Sequence, residues 1–284
     1  MNCKRCGRAN PSSASFCQFC GSGLSPSADI VCPECGTSNP AGTNFCHDCG
    51  CRLRMTSVSG GSESGQLRAN SGRPRLVAVR RDGTDGATYP FDGEQLDIGR
   101  SEGDLLFDDP HLGARHARII RKGNNYTLWP LEGRNGVYIR LRVPTIIGDG
   151  DHILIGKQVL RLEVVPEIER NLRPAMEQGV VLFGTPLAPP WGRLRQMTSA
   201  GTSRDVYHLT RSEVVLGREQ GDIVFSDDEF MSRRHCAVRF RGGVYEIEDL
   251  GSSNGSFVRL RAQHTLNPGE MIRLGDELLR FELL

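Results

Sequence analysis

Near-alternation of apolar and polar side chains runs through much of the chain beyond residue 75. VVLGR (214–218), CAVRF (236–240), VYEIEDL (244–250) and SFVRL (256–260) carry it most clearly. A period of two marks half-buried strands, with one face toward a core and the other toward water. The residues between these runs are therefore loops, and loops at one end of a β-sandwich converge in space. They hold Gly217 and Arg218, then MSRRHC from Met231 to Cys236, then DLGSSNG from Asp249 to Gly255. Brought together, Arg218, Ser232, Arg233, Ser253 and Asn254 supply guanidinium forks, hydroxyls, an amide and loop N–H groups. That donor set suits a dianion.

The pattern occurs twice, so the chain is an internal repeat. LVAVR (76–80) and LDIGR (96–100) open an earlier copy that continues through Arg115, His116, Asn135, Gly136 and Gly156. The steps from His116 to Asn135 and Gly156 equal those from His235 to Asn254 and Gly275, while one residue fewer separates Gly99 from His116 than Gly217 from His235. Residues 75–166 and 193–284 are read as the two sandwiches. Where the second copy has Ser232 and Arg233 the first has Gly113 and Ala114, and where the second has Ser253 the first has Arg134. Between the copies, residues 167–192 mix a helical turn with a proline-rich apolar strip. As a free linker this strip exposes Val180, Val181, Leu182, Phe183 and Trp191, so it is expected to dock on one sandwich.

The first 53 residues read differently. Eight of the ten cysteines form four C-x-x-C pairs, Cys3/Cys6, Cys17/Cys20, Cys32/Cys35 and Cys46/Cys49, repeated with a period of 29. Each unit, C-x2-C-x10-C-x2-C, resembles a zinc ribbon, giving ribbon 1 at 1–24 and ribbon 2 at 30–53. About 24 residues cannot bury a self-supporting core, so a thiolate-bound metal must supply the stability. Two structural Zn²⁺ are expected, the first on Cys3, Cys6, Cys17 and Cys20, the second on Cys32, Cys35, Cys46 and Cys49. A redox C-x-x-C needs a βαβ setting, and disulfides need an oxidising compartment. Iron–sulfur ligation stays open, although the spacing favours zinc. His47 reads as a turn residue and Cys51 as a surface thiol. Residues 54–74, rich in Ser and Gly, read as a flexible linker whose Thr56 and serines offer hydroxyls to a kinase.

The order GR, SRRH and SSNG, with strand patterns between, resembles the forkhead-associated (FHA) domain. That resemblance implies a mainly β protein: two FHA-like eleven-stranded β-sandwiches in tandem behind two small zinc ribbons. It implies phosphothreonine-peptide binding by the second copy. Arg218 and Ser232 would be phosphate ligands, Arg233 and Ser253 supporting donors, and Asn254 the holder of the peptide backbone. His235 would brace the loop, flanked by Gly217 and Gly255. A charge-assisted hydrogen bond contributes roughly 1.5–3 kcal/mol, so loss of two should weaken the first copy on the order of a hundredfold. Arg134 could return some charge from another direction.

Composition narrows the function classes. A formal net charge of +1 gives no long-range field toward nucleic acid or membrane. No signal peptide or bilayer-length apolar run is evident, and a cytoplasmic protein is expected. The sequence GSSNG matches the nucleophile elbow G-x-S-x-G, with His235 and Asp249 nearby, but an elbow needs a strand–turn–helix, and SFVRL reads as a strand. Cys236 falls on the core face of its strand, His208 reads as a packed or edge histidine, and the Asn125 sequon matters only in a secreted protein. The leading expectation is a non-enzymatic phosphothreonine-binding adaptor in Ser/Thr kinase signalling, with a further, unidentified partner for the ribbons. The alternative is a zinc-ribbon nucleic-acid-binding regulator controlled through its FHA domains. Lys4, Arg5 and Arg8 support it in ribbon 1, but Pro33 and Glu34 leave no continuous basic stripe.

Overall fold

The computed structural model describes residues 72–284, except 132, 134, 186 and 187, together with Asn2, Arg8, Ala9, Pro11, Ile30, Val31, Ser38 and Asn39. The chain divides into two compact units, Met1–Ser64 and Gly65–Leu284. In the first, β1 (Ile30–Val31) and β2 (Ser38–Asn39) pair antiparallel with Val31 opposite Ser38, and an isolated bridge joins Asn2 to Ala9. The bridge recurs 29 residues on (31 − 2, 38 − 9), so the cysteine repeat has a counterpart in backbone pairing. The eight ligand cysteines, His47, Cys51, Thr56 and most of the linker lie outside the described residues.

In the second unit the first copy supplies β3 (Pro74–Val79), β4 (Asp85–Pro90), β5 (Gln95–Gly99), β6 (Leu105–Leu106), β7 (Ala117–Lys122), β8 (Asn125–Pro130), β9 (Val137–Arg140), β10 (Thr145–Ile147), β11 (His152–Ile155) and β12 (Gln158–Val164). A helical turn, α1 (Glu167–Arg170), and a hairpin of β13 (Met176–Glu177) and β14 (Val180–Val181) follow. The second copy supplies β15 (Gly192–Met197), β16 (Ser203–Leu209), β17 (Glu213–Gly217), β18 (Ile223–Val224), β19 (Cys236–Arg241), β20 (Val244–Asp249), β21 (Ser256–Arg259), β22 (His264–Leu266), β23 (Met271–Leu274) and β24 (Glu277–Leu283). The mainly β expectation holds, with ten strands per copy among the described residues rather than eleven.

The packing departs from two sequentially closed sandwiches. One five-stranded sheet runs β10-β20-β19-β17-β18, another β22-β8-β7-β5-β6, and a ten-stranded sheet runs β16-β15-β12-β11-β21-β9-β23-β24-β3-β4. Each copy's last strands therefore complete the other copy's sandwich. Leu162 of β12 lies opposite Leu194 of β15, and Phe281 of β24 opposite Leu76 of β3. The cores follow the exchange. One unites Ile147, Ile153, Leu160 and Leu162 with Trp191, Leu216 and Ile247; the other unites Leu76, Ile98 and Leu128 with Leu274, Leu279 and Phe281. Segments 75–166 and 193–284 are sequence copies, and neither closes its own core.

The cause lies after β9 and β21. No Gly, Asn or Asp occurs from 137 to 147 or from 256 to 266, so neither segment has the residues that readily take the positive φ of a two-residue hairpin turn. The chain bends at Arg142–Val143 and at Arg261–Ala262 and continues into a strand of the other copy's sheet, and β9 and β21 pair with each other. The Leu141 N–H donates to the Ser256 carbonyl and the Leu260 N–H to the Val137 carbonyl, both at 2.8 Å, around β9–β21 pairing with Arg140 opposite Phe257.

The segment between the copies docks only in part. Trp191 is buried, its ring stacked on Phe240 and Tyr245, and its Nε1–H donates to the Arg211 carbonyl at 2.7 Å. The expected docking of the hairpin does not occur, because β13 and β14 pair only with each other and leave Met176, Val180, Val181, Leu182 and Phe183 exposed. No helix among the described residues is long and apolar enough to cross a membrane.

Leu160 belongs to the first copy but is fully buried in the core that holds Trp191. Leu160→Ala is expected to destabilise that core by about 2–5 kcal/mol. Denaturant unfolding followed by Trp191 fluorescence in a Trp129→Phe background checks this; an unshifted midpoint would contradict the exchanged packing.

Candidate functional site

Three loops of the second copy meet at one end of its sandwich. Arg218 directly follows β17; its N–H donates to the Ser232 carbonyl at 2.9 Å, and the N–H groups of Glu219 and Gln220 donate to the Arg233 carbonyl at 3.2 and 2.9 Å. The approach is close enough that a Cβ on Gly217 would run into that carbonyl. From the third loop, the Ser253 N–H donates to Ser232 Oγ at 3.0 Å, and Asn254 Nδ2 donates to the Phe230 carbonyl at 2.7 Å. Arg218, Ser232, Ser253 and Asn254 are thus laced together by hydrogen bonds.

Arg233 joins through a carboxylate. Glu219 accepts from Arg218 Nε and Nη2 at 3.2 and 2.9 Å, and its other oxygen lies 3.3 Å from Arg233 Nε. The chain's own anion therefore sits between the two guanidinium groups. The Arg233 and Glu219 side chains are exposed, and Arg218 is half-buried.

His235 lies buried behind these loops. The Ser232 N–H donates to its Nδ1 at 3.1 Å, so Nδ1 must carry a lone pair and Nε2 the proton. Nε2–H then donates to the Gly255 carbonyl at 3.2 Å. Burial holds the imidazole below its ordinary range, against the pull of Asp249. Both ring nitrogens are thus spent on backbone, and β21, a strand, follows GSSNG. The arrangement cannot work as an acyl-transfer triad. Cys236 is fully buried, and burial pushes its thiol up, which makes it a core residue rather than a nucleophile.

Asp249 organises the third loop, a role that sequence reasoning missed. Its carboxylate accepts from the N–H groups of Gly251 and Ser252 at 3.0 and 2.8 Å, and from the hydroxyls of Ser252 and Ser256 at 2.6 and 2.5 Å. Counting back from Asn135, the first copy has Pro130 at this position, so the carboxylate is absent there. That substitution was the available signal.

The first copy repeats the backbone lacing without the donors. The Arg100 N–H donates to the Gly113 carbonyl at 2.9 Å and the Gly113 N–H to His116 Nδ1 at 3.0 Å, while Asn135 Nδ2 reaches the His111 carbonyl at 2.8 Å. Gly113 and Ala114 bring no hydrogen-bonding side chain. Arg115 is drawn to Asp97 at 3.2 Å and Glu102 at 3.6 Å. Arg134 lies outside the described residues. The extra residue of the second copy falls ahead of Asp228, whose role Asp109 plays in the first. Asp228 accepts from the Lys157 N–H and Asp109 from the Asp276 N–H, each at 2.7 Å, so positions 113 and 114 keep their places.

Fold and loop motifs together define a class of β-sandwich, the forkhead-associated domain. The FHA domain family matches residues 96–156 and 214–275, and the double zinc ribbon family matches residues 3–50. The chain carries two FHA domains behind an N-terminal double zinc ribbon. The oxoglutarate dehydrogenase inhibitor of Corynebacterium diphtheriae is 28% identical over 132 residues, 44% of this chain and 92% of that protein. The inhibitor of the same name from Corynebacterium jeikeium is 35% identical over 75 residues, which is 26% of this chain and 52% of that one. A solved structure described as Mycobacterium tuberculosis EmbR in complex with low affinity phosphopeptide is 30% identical, covering 31% of this chain and 26% of that chain with a TM-score of 0.18.

The folded state keeps His235 below its ordinary value, so unfolding takes up a proton as the pH falls below about 6.5. His235 therefore contributes stability that is present above that pH and lost below it. Burial lowers His152 in the same direction, so comparison with a variant isolates His235. Wild type should lose more stability than His235→Gln between pH 8 and pH 5.5, measured as the shift in denaturant midpoint.

Proposed function

We propose that this protein is a non-enzymatic phosphothreonine-peptide-binding adaptor in Ser/Thr kinase signalling, with the second FHA copy as reader. The observation that carries this reading is the laced cluster of Arg218, Ser232, Ser253 and Asn254, with Arg233 reaching the carboxylate that Arg218 holds. A phosphate dianion can replace the Glu219 carboxylate and gain the Ser232 hydroxyl and loop N–H groups as further donors. Exposed ion pairs contribute only about 0–1 kcal/mol, whereas charge-assisted bonds to a partly enclosed phosphate contribute roughly 1.5–3 kcal/mol each. The exchange of Glu219 for phosphate therefore favours the ligand. FHA relatives named as inhibitors fit a regulatory role better than a catalytic one.

The two ribbons would each hold one structural Zn²⁺, on Cys3, Cys6, Cys17 and Cys20 and on Cys32, Cys35, Cys46 and Cys49, and would contact a separate protein. The donor chemistry, four thiolates per unit, fits that ion, and the pairing of Asn2 with Ala9 recurs as that of Val31 with Ser38, which supports two like units. Metal analysis of protein purified without chelator should find two zinc ions per chain; fewer than one would refute the assignment.

Titration of the full chain with a phosphothreonine peptide selected from a library tests the reader. Arg218→Ala and Ser232→Ala should each cost roughly 2–3 kcal/mol, enough to abolish measurable binding of a micromolar ligand. Arg100→Ala should leave affinity unchanged, and Glu219→Gln should raise it. The matching phosphoserine peptide should bind about 1 kcal/mol more weakly for want of the γ-methyl. Loss of binding in Arg100→Ala but not in Arg218→Ala would make the first copy the reader.

A further inference from the structure

The strand exchange places an arginine of the non-reading copy against the reader's third loop. Arg140 ends β9 and lies opposite Phe257 of β21, the strand that leads out of GSSNG. It is buried, with 8% of its surface exposed. Its Nε and Cζ occupy the space a side chain on Gly255 would need, and Gly255 itself has φ +82°. The charge of Arg140 reaches His235 as well, adding to the effect of burial in holding that imidazole down. The other copy shows the same device. Arg259 fills the space beside Gly136, and its Nη2 donates to the Gly133 carbonyl at 3.2 Å. The Ser232 loop is tied across the exchange too, since Asp228 accepts from the Lys157 N–H at 2.7 Å and Gln158 Nε2 at 2.8 Å, while holding the Phe230 N–H at 3.0 Å.

We propose that Arg140 is a positioning residue for the second copy's phosphopeptide site. It props the Gly255 turn from behind and so fixes Asn254 and the Ser253 N–H. This rests on the second copy being the reader. The first copy's part in recognition is then not a second phosphate pocket. It supplies a buried cation and a hairpin that hold its partner's loops at the spacing a phosphothreonine peptide needs. A loop pinned before the ligand arrives has less freedom to lose on binding. The effect is directional, because Arg259 serves the copy that lacks donors.

The test uses the full chain, a library-selected phosphothreonine peptide, and the variants Arg140→Gln, Arg140→Lys, Arg259→Gln and Arg218→Ala. Arg140→Gln should weaken the peptide by roughly tenfold, the scale on which residues outside a ligand's contact surface act, and Arg259→Gln by less than about twofold. Arg140→Lys, which keeps the charge without the fork, should fall between them. A purely structural role would not move the His235 titration. Removal of the Arg140 charge should raise its midpoint in NMR, and the Ser253 and Gly255 amide signals should shift in the free protein. If Arg140→Gln does not fold, Arg140→Lys decides by peptide affinity and by the Ser253 and Gly255 amide signals. If Arg218→Ala loses binding while the Arg140 variants match wild type in affinity and His235 titration, this inference falls and the reader assignment stands. If wild type binds no better than Arg218→Ala, both fall.

Discussion

The pairing of β9 with β21 is the constraint on which the rest of unit Gly65–Leu284 depends. The two strands each pack on their own copy's core and meet each other, with Val258 opposite Ile139, before the chain crosses over. Without that contact each would end as an open sheet edge with unpaired backbone groups. With it, ten strands form one continuous ladder and both hydrophobic cores draw on both copies. The apolar burial that stabilises either sandwich is therefore shared, so the two halves should fold as one cooperative unit rather than as beads on a string.

Recognition chemistry is laid over this scaffold in a way the exchange leaves intact. Every proposed donor, from Arg218 to Asn254, precedes the point at which the second copy crosses over. The donors remain one contiguous stretch of sequence, but the groups that hold them still do not. His235 and Asp249 are local braces, whereas Arg140, Lys157 and Gln158 arrive from the other copy. The buried braces are neutral or hydrogen-bonded, as burial demands of polar groups. The Arg218 and Arg233 guanidinium groups stay partly exposed, where the Glu219 carboxylate occupies them.

Much of this was legible in the sequence. Alternation gave the strands, the matched His, Asn and Gly spacings gave the duplication, and the cysteine period appears again in paired residues 29 apart. The laced loops bring Arg218, Ser232, Ser253 and Asn254 into one cluster, as convergent loops at a sandwich end should. The exchange was not seen, because period-two patterning specifies which face a residue takes and not which strand lies beside it. The available clue was negative: eleven residues from Val137 to Ile147 without a glycine, asparagine or aspartate. Glu219 and Asp249 were passed over because their importance comes from what they accept, and a donor-centred search for an anion site overlooks acceptors. The hairpin at 176–181 was expected to dock because it is apolar, yet apolar surface alone names no partner.

The separation of donors from scaffold also accounts for the unequal state of the two copies. Gly113, Ala114 and Pro130 stand where the second copy has two donors and a loop brace; Gly113 and Ala114 lie on a loop and Pro130 at the end of β8, where such changes cost little stability. Its strands from Ile147 to Leu162 have no such freedom, because they form half of the core under the second copy's site. Loss of a core leucine there would be felt at Trp191 and Leu216. A duplicated domain whose halves had stayed separate could lose either copy altogether. With the halves exchanged, the first copy can lose hydrogen-bonding side chains from its loops but must keep its fold, which is the combination this chain presents.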